Sequence, residues 1–256
     1  MNEKTLFHIH ITPEQGAKYA ILPGDPGRVE KIAAFIDEPR PLAQNREFTS
    51  YCGTLCGERV IILSTGIGGP SAAIALEELS RAGLTTAIRI GTCGGISYDV
   101  ATGDLVIPTA AVRMEGTSKE YAPIEYPAAA DFEIVSALVS AAKKNQYRYH
   151  TGIIQSKDSF YGQHAPHTMP VDYELKNKWN AWKKLGVLAS EMETAALFTV
   201  GAVRHIKVGC ILHALWNQER KNLGINDSDD FDMDAAIKTA VTALKHIINT
   251  NKEQQI

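Results

Sequence analysis

The sequence predicts one α/β domain with a largely central sheet, and three observations carry that prediction. Apolar runs of strand length alternate with stretches of helical period along most of the chain. Its 256 residues, 45% hydrophobic and 21% charged, are enough to bury a full core. No linker, low-complexity tract or internal repeat divides the sequence.

Tyr19-Ala20-Ile21-Leu22 reads as the first strand, broken by Pro23-Gly24. Asp25 suits an N-cap and Pro26 a first helical position, and Val29, Ile32, Ala33 and Ile36 then recur on one helical face. Val60–Leu63 is a second strand, joined through Thr65-Gly66-Ile67-Gly68-Gly69-Pro70 to a helix over Ser71–Ala82 that Gly83 closes. Ala87–Ile90 and Leu105–Ile107 follow as strands. Asp131–Lys144 reads as a helix with Phe132, Val135, Leu138 and Val139 on its apolar face, and Gly152–Ile154 starts another strand. Tyr161–Val171 reads as a long loop, a length often tied to function. A helix over about Glu193–His205, the strand Val208–Leu212 and an amphipathic helix over Asp234–Ile248 complete the order. Ile237, Val241, Leu244 and Ile248 form the stripe of that last helix, and the polar tail Asn249–Ile256 is expected to fray.

A formal charge of -3 argues against a general nucleic-acid binder, which needs net positive surface to neutralise phosphates. No apolar run approaches a membrane span, and Met1-Asn2-Glu3-Lys4-Thr5 opens no secretory pattern. Cys52, Cys56, Cys93 and Cys210 are read as reduced thiols of a cytoplasmic protein. Only Cys52 and Cys56 are close in sequence, and no second Cys or His pair follows at metal-binding spacing. Trp179, Trp182 and Trp216 are read as packing residues.

Three arginines beside turn-like segments suggest an anion site: Gly24-Asp25-Pro26-Gly27-Arg28, Asn45-Arg46-Glu47-Phe48 and Arg89-Ile90-Gly91-Thr92-Cys93-Gly94-Gly95. Taken alone, the first motif reads either as a common turn with Arg28 solvated at the surface or as an anion site, where the ligand would meet backbone N–H groups, the close approach that Gly24 permits and the Arg28 guanidinium. Arg89 lies within an apolar strand, where a charge is costly unless paired. Its partner is either an internal carboxylate such as Glu193 or a phosphate that also accepts from the Thr92 hydroxyl. Neither a dinucleotide fingerprint nor a Walker loop is present.

These motifs, together with Ser64-Thr65-Gly66-Ile67-Gly68-Gly69-Pro70-Ser71 and Glu191-Met192-Glu193-Thr194, resemble in content and order the hexameric branch of the nucleoside phosphorylase family, over nearly the whole chain from His8 to the last helix. The resemblance implies a single domain over 1–256 around a mixed, partly barrel-like β-sheet flanked by helices. It implies phosphorolysis of a pyrimidine nucleoside, uridine and phosphate giving uracil and ribose 1-phosphate, with no organic cofactor. It also implies a homohexamer of dimers whose active sites are shared between paired subunits. On matching positions, phosphate falls to Gly24, Arg28, Arg89 and Thr92, with Arg46 entering from the neighbour. The ribose falls to Met192, Glu193 and the neighbour's counterpart of His8. Glu47, Ile67 and Ser71 match positions that hold a potassium ion between two subunits. Glu191 and Glu193, two apart, would point to different faces of a helix, so one is read as the buried ribose carboxylate and the other as structural.

For the base, Lys157-Asp158-Ser159-Phe160-Tyr161-Gly162-Gln163 offers Phe160 to stack and Gln163 to read an amide edge. Here the chain departs from the family pattern: Ala165 stands where an arginine belongs, and Ala214-Leu215-Trp216-Asn217-Gln218 offers no second one. Lys157, His164, His167 and Arg220 are the candidate substitutes. Purine-specific members place an aspartate after the strand that matches Ile211-Leu212; His213-Ala214 here favours a pyrimidine. A purine phosphorylase, a nucleoside hydrolase of the same fold and a non-catalytic nucleoside binder are the alternatives.

Overall fold

The computed structural model describes residues 5–225 and 230–254. The opening residues 1–4 and the last two of the tail lie outside the described residues. In chain order, β1 (Tyr19–Pro23) leads to α1 (Val29–Ala33), then β2 (Asp37–Asn45), β3 (Phe48–Leu55), β4 (Glu58–Leu63) and α2 (Gly69–Arg81). Next come β5 (Thr86–Gly95), β6 (Leu105–Met114), α3 (Thr117–Tyr121), β7 (Ala128–Ala129), α4 (Phe132–Lys144) and β8 (Tyr149–Lys157). The remainder is α5 (Phe160–His164), α6 (Asp172–Lys184), β9 (Ala189–Glu191), α7 (Thr194–Val203), β10 (Lys207–Asn217), α8 (Gln218–Asn222) and α9 (Asp234–Glu253).

The strands form one mixed sheet in the order β10-β6-β8-β9-β5-β1-β4-β3-β2, and an added β10–β5 pairing closes its first part into a barrel. Strand alternation sends side chains to two cores. Ala20, Leu22, Ile61, Leu63, Ala87 and Cys93 face the side where Leu76 and Leu79 of α2 and Leu197 and Phe198 of α7 pack. Tyr19, Ile21, Val60, Ile62, Ile88 and Ile90 face α1, α4 and α9, with Ile32, Leu138 and Leu244. Both faces of the sheet are therefore covered, which explains strands that read as continuous apolar runs.

Several expected boundaries change. Asp25 accepts from the Gly27 N–H, but a tight turn over Pro26–Arg28 precedes α1, so Ile36 is buried beyond the helix rather than on it. In α4 the buried face is Ile134, Ala137, Leu138 and Ala141, while Phe132 is 81% exposed: the Asp131 cap sets the helix one residue round from the expected stripe. The loop expected over Tyr161–Val171 holds α5 and a further turn at Pro166–Thr168. α9 continues to Glu253 instead of fraying at Asn249, with Lys252 donating to the Cys56 carbonyl at 2.6 Å. All four cysteines are free thiols.

Candidate active site

Alternation along β5 sets the site. Arg89 shares a face with Ala87 and Cys93, so it projects toward α2 and α7 and is only 3% exposed. A buried guanidinium needs charge nearby. Arg89 Nη2 pairs with Glu193 Oε2, and Nε lies 3.6 Å from Glu191 Oε2. Burial pulls its pKa down, but Glu193 and then Glu191 outweigh that and hold it above the usual arginine range. Among the described residues, Nε and Nη1 have no hydrogen-bond partner. The internal ion pair offered from sequence is thus present, widened to two carboxylates, and it leaves donors on Arg89 unspent.

Both carboxylates reach Arg89 because they do not share a helix. Glu191 ends β9, and Glu193 sits just before α7. Glu191 is occupied structurally, accepting from the Glu193 and Thr194 N–H groups at 2.9 Å and from the Ser156 hydroxyl, and so it caps α7. Glu193 is freer. Its Oε1 accepts from the Gly68 N–H at 2.6 Å, a contact made possible by the left-handed backbone of Gly68 (φ 96°). Burial raises the Glu193 pKa, Arg89 works against that, and Glu191 adds to it.

These groups line a cavity of about 660 Å³. Gly24, Arg28, Arg89 and Thr92 supply anion-binding chemistry, Met192 and Glu193 a flexible apolar side chain and a carboxylate, and Lys157, Phe160 and Gln163 a third group. A Cβ built on Gly24 would lie 3.9 Å from both Nη1 and Nη2 of Arg89, filling the space in front of the guanidinium. The Arg28 pKa is lowered first by burial, with Asp25 opposing and Arg89 lowering it further. An anion between the two guanidiniums would relieve that repulsion.

Glu47 and Ile67 also line this cavity, whereas Ser71 does not. The Ser71 hydroxyl donates locally to the Ile67 and Gly68 carbonyls at 3.1 and 3.2 Å. Among the described residues no cluster of three His, Cys, Asp or Glu could hold a metal ion. Arg46 and His8 lie outside the cavity of their own chain. They are held near each other: Arg46 turns the β2–β3 hairpin in a left-handed conformation (φ 52°), and the adjacent Asn45 side chain donates to the His8 carbonyl at 2.8 Å. Glu78 anchors that segment, accepting from the His8 and Ile9 N–H groups at 2.9 Å and contacting the His8 ring at 2.6 Å.

Of the proposed substitutes for a base-side arginine, Lys157 and His164 line the cavity, and His167 and Arg220 do not. The ring of Trp216 lies 6.1 Å from Phe160 and 5.1 Å from His164. Reading Trp216 as a packing residue overlooked that place. Two expectations about strands caused the miss. The Gly91–Gly95 segment is strand, not turn, and β10 continues past Leu212 beside it, pairing Trp216 with Gly94. A Cβ on Gly94 would come within 2.7 Å of the Trp216 Nε1, so glycine there gives the indole its seat. His213 is buried and directed to the Asp230 carbonyl, so the side chains β10 offers to the cavity are Leu215 and Trp216, neither of them an acid. A second cavity of about 490 Å³ shares Lys157 and Gln163 with the first. Lys157 Nζ donates to Ser190 Oγ at 2.7 Å, and Ser190 Oγ donates to Gln163 Oε1 at 2.8 Å, forming a partition between the two.

A covered mixed sheet, closed in part and presenting a buried and a half-buried arginine and a carboxylate to one deep cavity, defines a class of α/β protein suited to a small anionic reactant beside a polar organic one. The model of the Phosphorylase superfamily matches residues 18–249, and the chain belongs to that family. It is 50% identical over 242 residues to a uridine phosphorylase of Treponema pallidum, covering 94% of each chain. It is 41% identical over 253 residues to a uridine phosphorylase of Escherichia coli, 97% of this chain and all of the other. A guanosine phosphorylase of Halorubrum lacusprofundi is 40% identical over 223 residues, 86% of this chain and 88% of the other.

Proposed function

We propose that this chain is a uridine phosphorylase, a pentosyltransferase that moves the ribosyl group of uridine to inorganic phosphate. The observation that carries this reading is one cavity lined by Arg28 and Arg89, by Glu193 and Met192, and by Phe160 and Gln163. Gly24, Thr92 and the two arginines hold phosphate beneath the sugar. Glu193 takes the ribose hydroxyls, and Met192 packs on the ring. As the glycosidic bond breaks, positive charge grows on the ribose; the phosphate oxygen stabilises it and then bonds to C1′. Phe160 stacks on uracil, and the Gln163 amide, whose Oε1 already accepts from Ser190, donates from its nitrogen.

Arg46 and His8 complete the neighbouring subunit's site in a hexamer of dimers, which their absence from their own cavity supports. Glu47 and the Ile67 carbonyl, with Ser71 behind them, take a potassium ion at that subunit boundary. Three of the four free cysteines are buried, in keeping with reduced thiols in the cytoplasm. Among the described residues no helix is long and apolar enough to cross a membrane. The phosphorylase unit takes in the whole of 1–256.

A panel of uridine, deoxyuridine, thymidine and inosine, run with and without phosphate, tests the proposal. Uracil release that depends on phosphate and favours uridine over inosine is expected. Equal release without phosphate makes the chain a hydrolase, preference for inosine a purine enzyme, and binding without turnover a nucleoside binder.

A further inference from the structure

The second cavity, of about 490 Å³, has no task in the mechanism above, and the polar groups on its wall ask for a ligand of one kind. Gln155 of β8 lines it and is only 3% exposed. Its amide nitrogen is spent on Met114, donating to Sδ at 3.0 Å, so its oxygen points away from the sulfur. Among the described residues that oxygen has no hydrogen-bond partner, and neither has the buried Oε1 of Gln218, which lines the same cavity from α8. A buried acceptor without a donor is costly. Two of them on one wall call for an occupant that carries donors.

The charges beside them are largely matched already. Lys176 pairs with Asp172 at 2.5 Å, Lys183 with Glu219 at 3.0 Å, and Lys178 with Glu174. Glu219 also accepts from the Trp179 Nε1 at 2.7 Å. The fourth ammonium on the wall, that of Lys157, belongs to the partition with Ser190. Paired charges of this kind favour a neutral occupant over an ion, and Leu175, Pro166 and Trp179 add apolar surface for a ring.

We propose that this cavity is a second binding site, separate from the active site, for a free and uncharged base of the uracil class, held through its ring N–H groups by the oxygens of Gln155 and Gln218. The inference rests on the uridine phosphorolysis reading, which supplies uracil as a product. Uracil answers each demand of the wall, being flat and neutral and, once cut from the sugar, carrying an N–H at N1 as well as at N3. Uridine has only the N3 donor. The site therefore favours the product base over the nucleoside, and a base held there is one partition, Lys157–Ser190–Gln163, away from the active-site cavity.

The test is equilibrium dialysis of labelled uracil against the whole protein at saturating phosphate, after phosphate-dependent turnover of uridine has been measured. A second uracil per chain is expected beyond the one in the active site. Gln155→Leu and Gln218→Leu should each weaken that second site by roughly tenfold or more, because each leaves a ring N–H unpaired. The first site should hold, as should kcat and KM for uridine at initial rate. 1,3-Dimethyluracil, with the same flat shape but no N–H donor, should fail to displace the second uracil. The two substitutions stand in different elements, so either folded variant suffices. A single uracil per chain in wild type would overturn the proposal, and so would a second site that a folded variant leaves at full strength. Tighter second-site binding of orotate, the carboxylated base, would show an anion site and overturn it as well. Absence of phosphate-dependent turnover is a different failure: it removes the phosphorolysis reading, and with it uracil as the occupant.

Discussion

Arg89 is where stability and function meet, and replacing it by alanine gives a prediction that can be worked through. The side chain is 3% exposed and faces Glu193 and Glu191, each about as buried. Removing it strands two carboxylates in the interior, and breaking a buried ion pair from one side costs roughly 3–5 kcal/mol. For a chain of this size each kcal/mol is worth about 2–4 °C, so the midpoint should fall by roughly 6–20 °C at fixed protein concentration. Arg89→Met combined with Glu193→Gln, which removes the guanidinium and the carboxylate paired with it at similar volume and leaves Glu191 to its N–H and hydroxyl donors, should recover part of the loss. Thermal scans with and without phosphate provide the assay. Phosphate at 100 times its Kd should stabilise wild type by about 2.7 kcal/mol and leave the alanine variant unmoved. An alanine variant within about 1 kcal/mol of wild type that phosphate still protects would refute both the electrostatic account and the phosphate role.

Three other predictions concern neighbouring features. Gly94→Ala places a methyl 2.7 Å from the Trp216 Nε1, so a stability loss of about 1–3 kcal/mol is expected, together with a raised KM for nucleoside and an unchanged KM for phosphate; steady-state kinetics in both substrates checks the split. Glu78 is buried, which by itself raises its pKa, but the Ile9 and His8 N–H groups and the His8 ring bring it below the usual carboxylate range. Its contribution is complete above the unfolded carboxylate pKa and is lost as pH falls through the lowered folded value, so acid should open the segment around His8 to proteolysis before the rest, and Glu78→Gln should do so at neutral pH. Lys157 has the opposite sign of proton linkage. With its pKa down to about 8, the folded state binds fewer protons than the unfolded chain between there and the free value. Stability should therefore rise with pH across that window, and Lys157→Met, measured by urea unfolding, should be stabilised at neutral pH by up to about 3 kcal/mol.

The core and the convergence of Arg28, Arg89 and Glu193 on one cavity were legible in the chain because each rests on a local pattern. A charged residue inside an apolar strand marks Arg89, and strand alternation alone gives its direction. Helical stripes such as Ile237, Val241, Leu244 and Ile248 declare their buried face, and all four are buried in α9. Strands β2 and β3 were not legible: β2 is polar and mostly exposed, and its identity comes from pairing with β3 across a hairpin turned by Arg46. α6 escaped notice for a related reason, as none of its residues is fully buried. The end of the cavity around Phe160 and Trp216 was the least readable part. Trp216 enters the cavity only because β10 runs on beside a glycine-bearing strand, and no local period announces a partner so far away in sequence.

The partition of Lys157, Ser190 and Gln163 gives the pocket an energetic rather than a rigid size limit. Behind it lies a cavity of about 490 Å³, so with the base seated as proposed a bulkier one would meet two hydrogen bonds and not a packed wall. Parting them costs on the order of 2–4 kcal/mol, the lysine bond being the stronger of the two. Discrimination by this route amounts to a factor of roughly 30 to 1,000 in binding. A substituent that itself supplies an acceptor for Lys157 and a donor for Gln163 would recover much of that cost, so selection among bases here follows hydrogen-bond pattern ahead of bulk.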